Sequence, residues 1–446
     1  MRVVVITAML IVAAAAHAQE APPDETATGP TTESAAVSRV ADDAPGARAG
    51  KKKPKHKAAP DFQLGGWRGS IDAEGELVGG ALSGRTTLRE QGAIIEAGGT
   101  VEPAIERGRW RLAVPVRLAH RETPGATQRE TRGGFDLDAR YKTGPGFRLD
   151  LEAGLRFAQR PTWLDEYQPI AGGLGTTGRY SHLDLRLGAA IAAIPLRHQH
   201  VRAGLRYTDL AYDDDPTYDP IDAPTHLVPG DRREVDLDLS WRYFGDGWKL
   251  GGALAVEDQR DDDNFARDAG DGQTHAGAGG PPPNPLYHQL DVEPSVGAEL
   301  ELGRGDVEVG ADLGYAVVSD RYQGYYSRSG LHPQVHAALT RGHLEAKLSV
   351  EALFARYGEG SYQSDGTPGR PALESGTRRS DRRLGSRLNA RYRFARHLAA
   401  VVGLQVTRRD TNFPDYVPGV FPGSRAYDVA WDYTNGEITV GLSAAR

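Results

Sequence analysis

The 446-residue chain has no cysteine and only two methionines. Without cysteine there is no disulfide framework, no thiolate metal site and no lipid-modified cysteine. Beyond the first residues it also lacks any apolar run near the roughly 20 residues that a membrane helix needs. Lysine is scarce outside one short tract, Lys51, Lys52, Lys53, Lys55 and Lys57. Residues 61–446 carry 45 Lys+Arg against 54 Asp+Glu, and their cations are arginine except for Lys142, Lys249 and Lys347. No concentrated basic surface results, so nucleic acid is not an expected partner. Mean hydropathy is −0.49, a value that looks soluble. Strictly alternating apolar and polar residues average to the same figure, so hydropathy alone does not decide the class.

What is present at the start is an export signal. Arg2 supplies the charged region, residues 3–16 the apolar region, and Ala16-His17-Ala18 a small-x-small cleavage site, with cutting expected after Ala18. Residues 19–60 are rich in Ala, Pro, Thr, Glu and Asp, and too poor in large apolar side chains to bury a core. They read as a disordered periplasmic leader. Its lysine run has a charge suited to anionic lipid headgroups or peptidoglycan, although a solvated tail is the simpler reading. The remaining segment, 61–446, keeps one pattern throughout and reads as one domain.

That pattern is alternation. In residues 383–393 the odd positions are polar or small, while Leu384, Leu388, Ala390, Tyr392 and Phe394 occupy even ones. A strand sends alternate side chains to opposite faces, giving one arginine-rich face and one apolar face. Phe147, Leu149, Leu151, Ala153, Leu155 and Phe157 repeat the scheme against Arg148, Asp150, Glu152, Gly154 and Arg156. The connections alternate as well. Short links near 142–146, 194–198, 245–247, 303–305, 341–342 and 395–397 separate polar stretches near 159–177, 212–231, 260–286, 321–329, 357–379 and 411–434. Apolar-out, polar-in strands with short turns at one end and long loops at the other describe an all-β antiparallel transmembrane barrel. The count comes to about sixteen strands, within fourteen to eighteen, beginning near Trp67–Leu77. Residues 79–107 and 427–433 show the pattern least.

The closing stretch, Asp432-Tyr433-Thr434-Asn435-Gly436-Glu437-Ile438-Thr439-Val440-Gly441-Leu442-Ser443, resembles the final strand of Gram-negative outer-membrane barrels. The hairpin before it looks like the last hairpin of porin-like and channel-like members. The resemblance implies residence in the outer membrane, with lipid and lipopolysaccharide around the barrel. It also implies a final strand read by the assembly machinery, which in that family usually ends in Phe; here the chain ends Ala444-Ala445-Arg446. Such barrels host pores, exporters, enzymes and adhesins, so the architecture names no cargo.

The inward positions carry the functional expectation. Arg383, Arg387, Arg391 and Arg393 line one strand, Arg202 and Arg206 a second, and Arg111 and Arg117 a third. Acids gather elsewhere: Asp236, Asp238, Asp291, Glu293, Glu299, Glu301, Glu308 and Asp312. Basic and acidic walls facing each other would order water and favour polar solutes, whereas pairing between neighbouring strands would merely stiffen the wall. A porin-like channel for small polar or charged solutes is the first expectation. The alternative is an exporter of an anionic polysaccharide or other polymer, with a periplasmic partner. With no G-x-S-x-G and no convincing Ser–His pair, an enzyme is not expected, nor is a cofactor. His332 and His336 lie about 13 Å apart along one strand face, too far to share a metal. The acidic runs at 213–215 and 261–263 are expected in solvated loops.

Overall fold

The computed structural model describes residues 61–64, 66–84, 92–123, 128–144, 146–161, 163–170, 173–177, 181–212, 231–266, 284–303, 306–322, 326–358, 378–412 and 433–445. The export signal, the leader and its lysine run, and Asp213–Asp215 therefore lie outside the described residues.

Sixteen barrel strands follow in order: β1 (Trp67–Gly84), β2 (Gly92–Arg107), β3 (Trp110–Ala113, resuming as Val116–Thr123), β4 (Gln128–Gly144), β5 (Phe147–Gln159), β6 (His182–Ala193), β7 (Gln199–Tyr212) and β8 (Arg232–Phe244). Then come β9 (Trp248–Phe265), β10 (Leu286–Leu302), β11 (Val307–Asp320), β12 (Arg328–Arg341), β13 (Leu344–Tyr357), β14 (Ser380–Ala395), β15 (Leu398–Thr411) and β16 (Tyr433–Ala445). Each pairs antiparallel with its sequence neighbours, and β16 pairs with β1 from Glu74↔Ala445 to Gly84↔Asn435, which closes the sheet. A closed sheet has no edge strand with unpaired backbone groups. The break in β3 falls at Val114-Pro115, because proline has no N–H to give the ladder. The register nevertheless continues: Val114 N–H donates to the Pro103 carbonyl at 2.9 Å, and the Pro115 carbonyl accepts from Asp136 N–H at 3.0 Å.

Large apolar side chains cover the outside instead of filling a core. Leu118, Val296 and Leu442 are 59%, 63% and 56% exposed, and nearly every such residue shares the outward parity of its strand. A belt of this extent would be unstable in water and is stable only where hydrocarbon covers it. On β5 it runs from Phe147 to Phe157, about 33 Å along the strand. At the usual barrel tilt that is a height of about 25 Å, the apolar thickness of an outer-membrane barrel. Aromatic rings mark the short-turn rim: Trp110 lies on Tyr141 with centroids 4.5 Å apart, and Tyr243 on Trp248 at 5.4 Å. Rings at this level match an interfacial girdle.

The short links are where the alternation puts them. Gly247 and Gly342 sit in two of these turns at φ +76° and +62°, a conformation that a side chain disfavours. At the other rim the strands run further than the sequence pattern indicates. β9 continues to Phe265, so Asp261–Asp263 belong to a strand and not to a loop. Links to β8 explain this: Asp262 N–H donates to the Asp231 carbonyl at 2.8 Å, and the Asp262 carboxylate pairs with Arg233 at 2.9 Å. In the stretch 79–107, patternless because Gly and Ala replace large outward residues, residues 79–84 form the end of β1 and residues 92–107 form β2. The stretch 159–177 contains a small hairpin of its own, Trp163–Ile170 with Gly173–Thr177.

Above the belt, β13–β15 are tied together by one carboxylate. The outward residues at this height, Arg356, Arg382 and Arg408, are exposed and charged, which places it clear of the lipid. Asp381 accepts from Arg379 at 2.9 Å, Arg409 at 2.5 Å, Thr411 at 2.6 Å and the Tyr357 hydroxyl at 3.1 Å. Burial alone would raise its pKa, but the Arg379 and Arg409 guanidiniums overcome that and hold the carboxyl well below the usual carboxylate range. A depressed pKa stabilises the fold above the unfolded-state value of about 4. That contribution is lost as pH falls towards the folded-state value. Asp381→Asn takes the shared carboxylate away from Arg379 and Arg409 and should cost about 3–5 kcal/mol. Urea unfolding of the detergent-solubilised protein will show a lower midpoint, and the variant will lose part of the wild-type acid sensitivity.

Candidate functional site

The face opposite the lipid belt is the lumen wall. Strand parity sets it: Leu384, Tyr392 and Phe394 are exposed outward, so Arg383, Arg387, Arg391 and Arg393 turn inward. The same argument turns Arg202 and Arg206 inward from β7, Arg111 and Arg117 from β3, and Asp236 and Asp238 from β8. On β10 and β11 it turns Asp291, Glu293, Glu299, Glu301, Glu308 and Asp312 inward.

Many of these charges are engaged, and the engagement has a pattern. Arg111 bonds Glu102 at 2.8 Å, Arg117 bonds Asp136, and Arg206 stands 3.8 Å from Asp236. Such links join neighbouring or next-neighbouring strands and stiffen the wall. Two others reach much further. Arg391 of β14 crosses over β15 and β16 to bond Glu74 of β1 at 2.7 Å. Arg121 of β3 crosses over β2 and β1 to Glu437 of β16 at 3.3 Å. Both straps span the β1–β16 seam from inside. Arg393 lies 3.6 Å from Glu345, and Arg387 donates to the neutral Gln405 at 3.0 Å. Arg202 and Arg383 each keep a buried Nε without a partner among the described residues.

The acidic residues form one sector over β8–β11. Glu234 and Glu257 belong to it too; both were readable from the alternation that marks Asp236. Its cations are few. Lys249 bonds Glu299 at 2.6 Å and Glu308 at 3.0 Å, Arg232 pairs with Glu234 at 2.8 Å, His332 donates from Nδ1 to Glu293 at 2.8 Å, and His336 lies 3.7 Å from Asp312. Donor atoms of Glu299, Glu308 and His336 lie within 4.8 Å of one another, a spacing suited to a metal ion. The Lys249 ammonium already supplies positive charge to both carboxylates there. The two histidines have separate carboxylate partners and do not converge. A second acidic group on β1 and β2, with Glu74, Glu76, Glu96 and Glu102, is less legible because the outward partners there are mostly Gly and Ala.

The arginine strand β14 and the acidic sector are separated by only β12 and β13 on a sixteen-strand circuit. They occupy adjacent parts of the wall, not opposite sides, so the field they set up runs obliquely across the lumen.

No family model and no curated protein matches the sequence. Among solved structures, outer-membrane expressed OmpT of Vibrio cholerae is 11% identical, covering 86% of this chain and 99% of that one, with a TM-score of 0.39. OccK2 of Pseudomonas aeruginosa in complex with glucuronate is 11% identical, covering 85% and 98%, with a TM-score of 0.39. CdiB from Acinetobacter baumannii is 10% identical, covering 84% and 60%, with a TM-score of 0.41. These likenesses concern the fold alone.

Proposed function

We propose that this chain is a passive outer-membrane channel, not an enzyme, and that it admits small polar or charged solutes through a water-filled lumen. The observation that carries the reading is the inner wall of the sixteen-strand barrel. It is charged on nearly every strand, and Arg202, Arg383, Asp238 and Asp291 have no ion-pair partner among the described residues. A barrel of this strand number is too wide for its own side chains to fill. Unpaired charge on such a wall needs water beside it. The export signal and the apolar belt support outer-membrane residence.

Conductance in planar bilayers tests the reading: the purified barrel should give steady single-channel steps. Gating is tested by shortening the connection between β9 and β10. Residues 262–266 and 284 must be kept, since Asn284 donates to the Ala266 carbonyl at 2.8 Å and Ala266 N–H to the Pro285 carbonyl at 2.8 Å. Deleting 267–283 should leave conductance of a passive channel within about twofold, because the charged wall sets the path. A barrel closed until that deletion would support the gated exporter instead.

A further inference from the structure

We propose that the lumen wall between β4 and β8 carries a binding recess for small zwitterions of the α-amino-acid kind. Its floor is made of residues with almost no side chain. Gly188 and Ala190 of β6 lie beside Gly204 of β7, and a Cβ at Gly204 would stand 3.5 Å from the Ala190 Cβ. Long inward side chains rise on both sides of that floor. The hollow measures about 280 Å³, close to the lower end, roughly 300 Å³, of small-molecule sites.

The charges around it select the ligand class. Arg140 and Arg148 are both held by Asp150, at 2.9 and 2.8 Å, and Arg206 faces Asp236. Among the described residues, Arg202 and Arg242 have no ion-pair partner, nor do Asp138, Glu152 and Asp238. Arg202 keeps its buried Nε unbonded. A simple anion placed here meets three carboxylates, and a simple cation two guanidiniums, that have no ion-pair partner among the described residues. A solute carrying both charges satisfies each. Its carboxylate receives the planar fork of Arg202 or Arg242, and its ammonium donates to Asp138, Glu152 or Asp238. Recognition is therefore by the paired charges, and the small floor leaves room for a short side chain.

The inference rests on the lumen being open to solvent, as the proposed channel requires. Calorimetric titration of the full-length protein in detergent with L-glutamine, acetate and methylamine tests it. L-Glutamine should bind saturably, and the singly charged probes about tenfold more weakly or worse, since each leaves one set of charges unmet. Arg202→Gln, which removes the guanidinium, and Asp138→Asn, which keeps side-chain size, should each weaken L-glutamine by about tenfold. Ala190→Leu, which fills the floor, should abolish binding. Equal affinity for L-glutamine and acetate, or unchanged affinity in both charge variants, overturns the proposal. Parallel bilayer recordings separate the two readings. A barrel that binds L-glutamine without conducting ends the channel reading and leaves the recess. One that conducts without discriminating among the three probes ends the recess alone.

Discussion

Gly441→Val in β16 will leave the barrel unable to close. Gly441 lies on the inward face of the last strand, opposite Val78 of β1 in the closing register. A Cβ there would fall 2.2 Å from the Leu77 carbonyl oxygen and 2.7 Å from the Val78 Cα. These are backbone atoms of the partner strand, so no rotamer change relieves the clash. The same seam is tight from the other side, where a Cβ at Gly80 would stand 2.1 Å from the Ile438 carbonyl oxygen. Ser443 and Val78, 1% and 8% exposed, show that no neighbouring space is left to take up the displacement. Overpacking costs about 1–3 kcal/mol where side chains can yield; with backbone as the obstacle the cost is set by losing the pairing itself. Valine is a favourable strand residue, so a failure to fold would be steric and not a matter of propensity. The check is the heat-dependent shift of the folded barrel in a detergent gel. Gly441→Val should lose the compact band, whereas Val440→Leu, one residue away and facing lipid, should keep it. A wild-type band for Gly441→Val would refute the seam packing.

How much of this was legible in the sequence depends on which face carried large side chains. Where Leu, Val and aromatic residues stand outward, as from Phe147 to Phe157 or Leu384 to Phe394, parity assigns both faces, and the charges lie on the parity opposite the exposed apolar row. On β1 and β2 the outward residues include Ala73, Gly75, Gly79, Ala97 and Gly99, so two strands and their row of glutamates were obscured. Strand ends above the belt were also hidden. There both faces are polar, as at Asp261–Asp263, and alternation has nothing to mark. What parity cannot carry at all is partnership across the lumen. Glu74 and Arg391 are far apart in sequence and on strands that do not pair, and only closure brings them together. The floor of the recess was invisible for a related reason, because Gly188, Ala190 and Gly204 matter through what they lack.

Those partnerships change the expected outcome of neutralising the arginine strand. Arg387→Gln, Arg391→Gln and Arg393→Gln together should turn the channel markedly towards cations. Removing three positive charges is only part of the effect. Loss of Arg391 also releases Glu74, and loss of Arg393 releases Glu345, so two carboxylates that now face guanidiniums would face the solute instead. Arg387, whose partner is the neutral Gln405, releases no charge. In water a unit charge about 4 Å from a passing ion is worth about 1 kcal/mol, or roughly a fivefold change in its population. The triple variant should therefore raise the cation-to-anion permeability ratio by about fivefold or more at low salt, and by less as salt screens the wall. The single variants order the contributions: Arg391→Gln should shift the reversal potential more than Arg387→Gln, because it uncovers Glu74. Equal shifts would mean that Glu74 is not held as the geometry has it. An unchanged reversal potential in the triple variant would remove β14 from any role in selectivity. Arg391→Gln carries a second consequence, since its bond to Glu74 straps the seam that Gly441 closes. Its unfolding midpoint in urea should fall, while that of Arg387→Gln should stay near wild type.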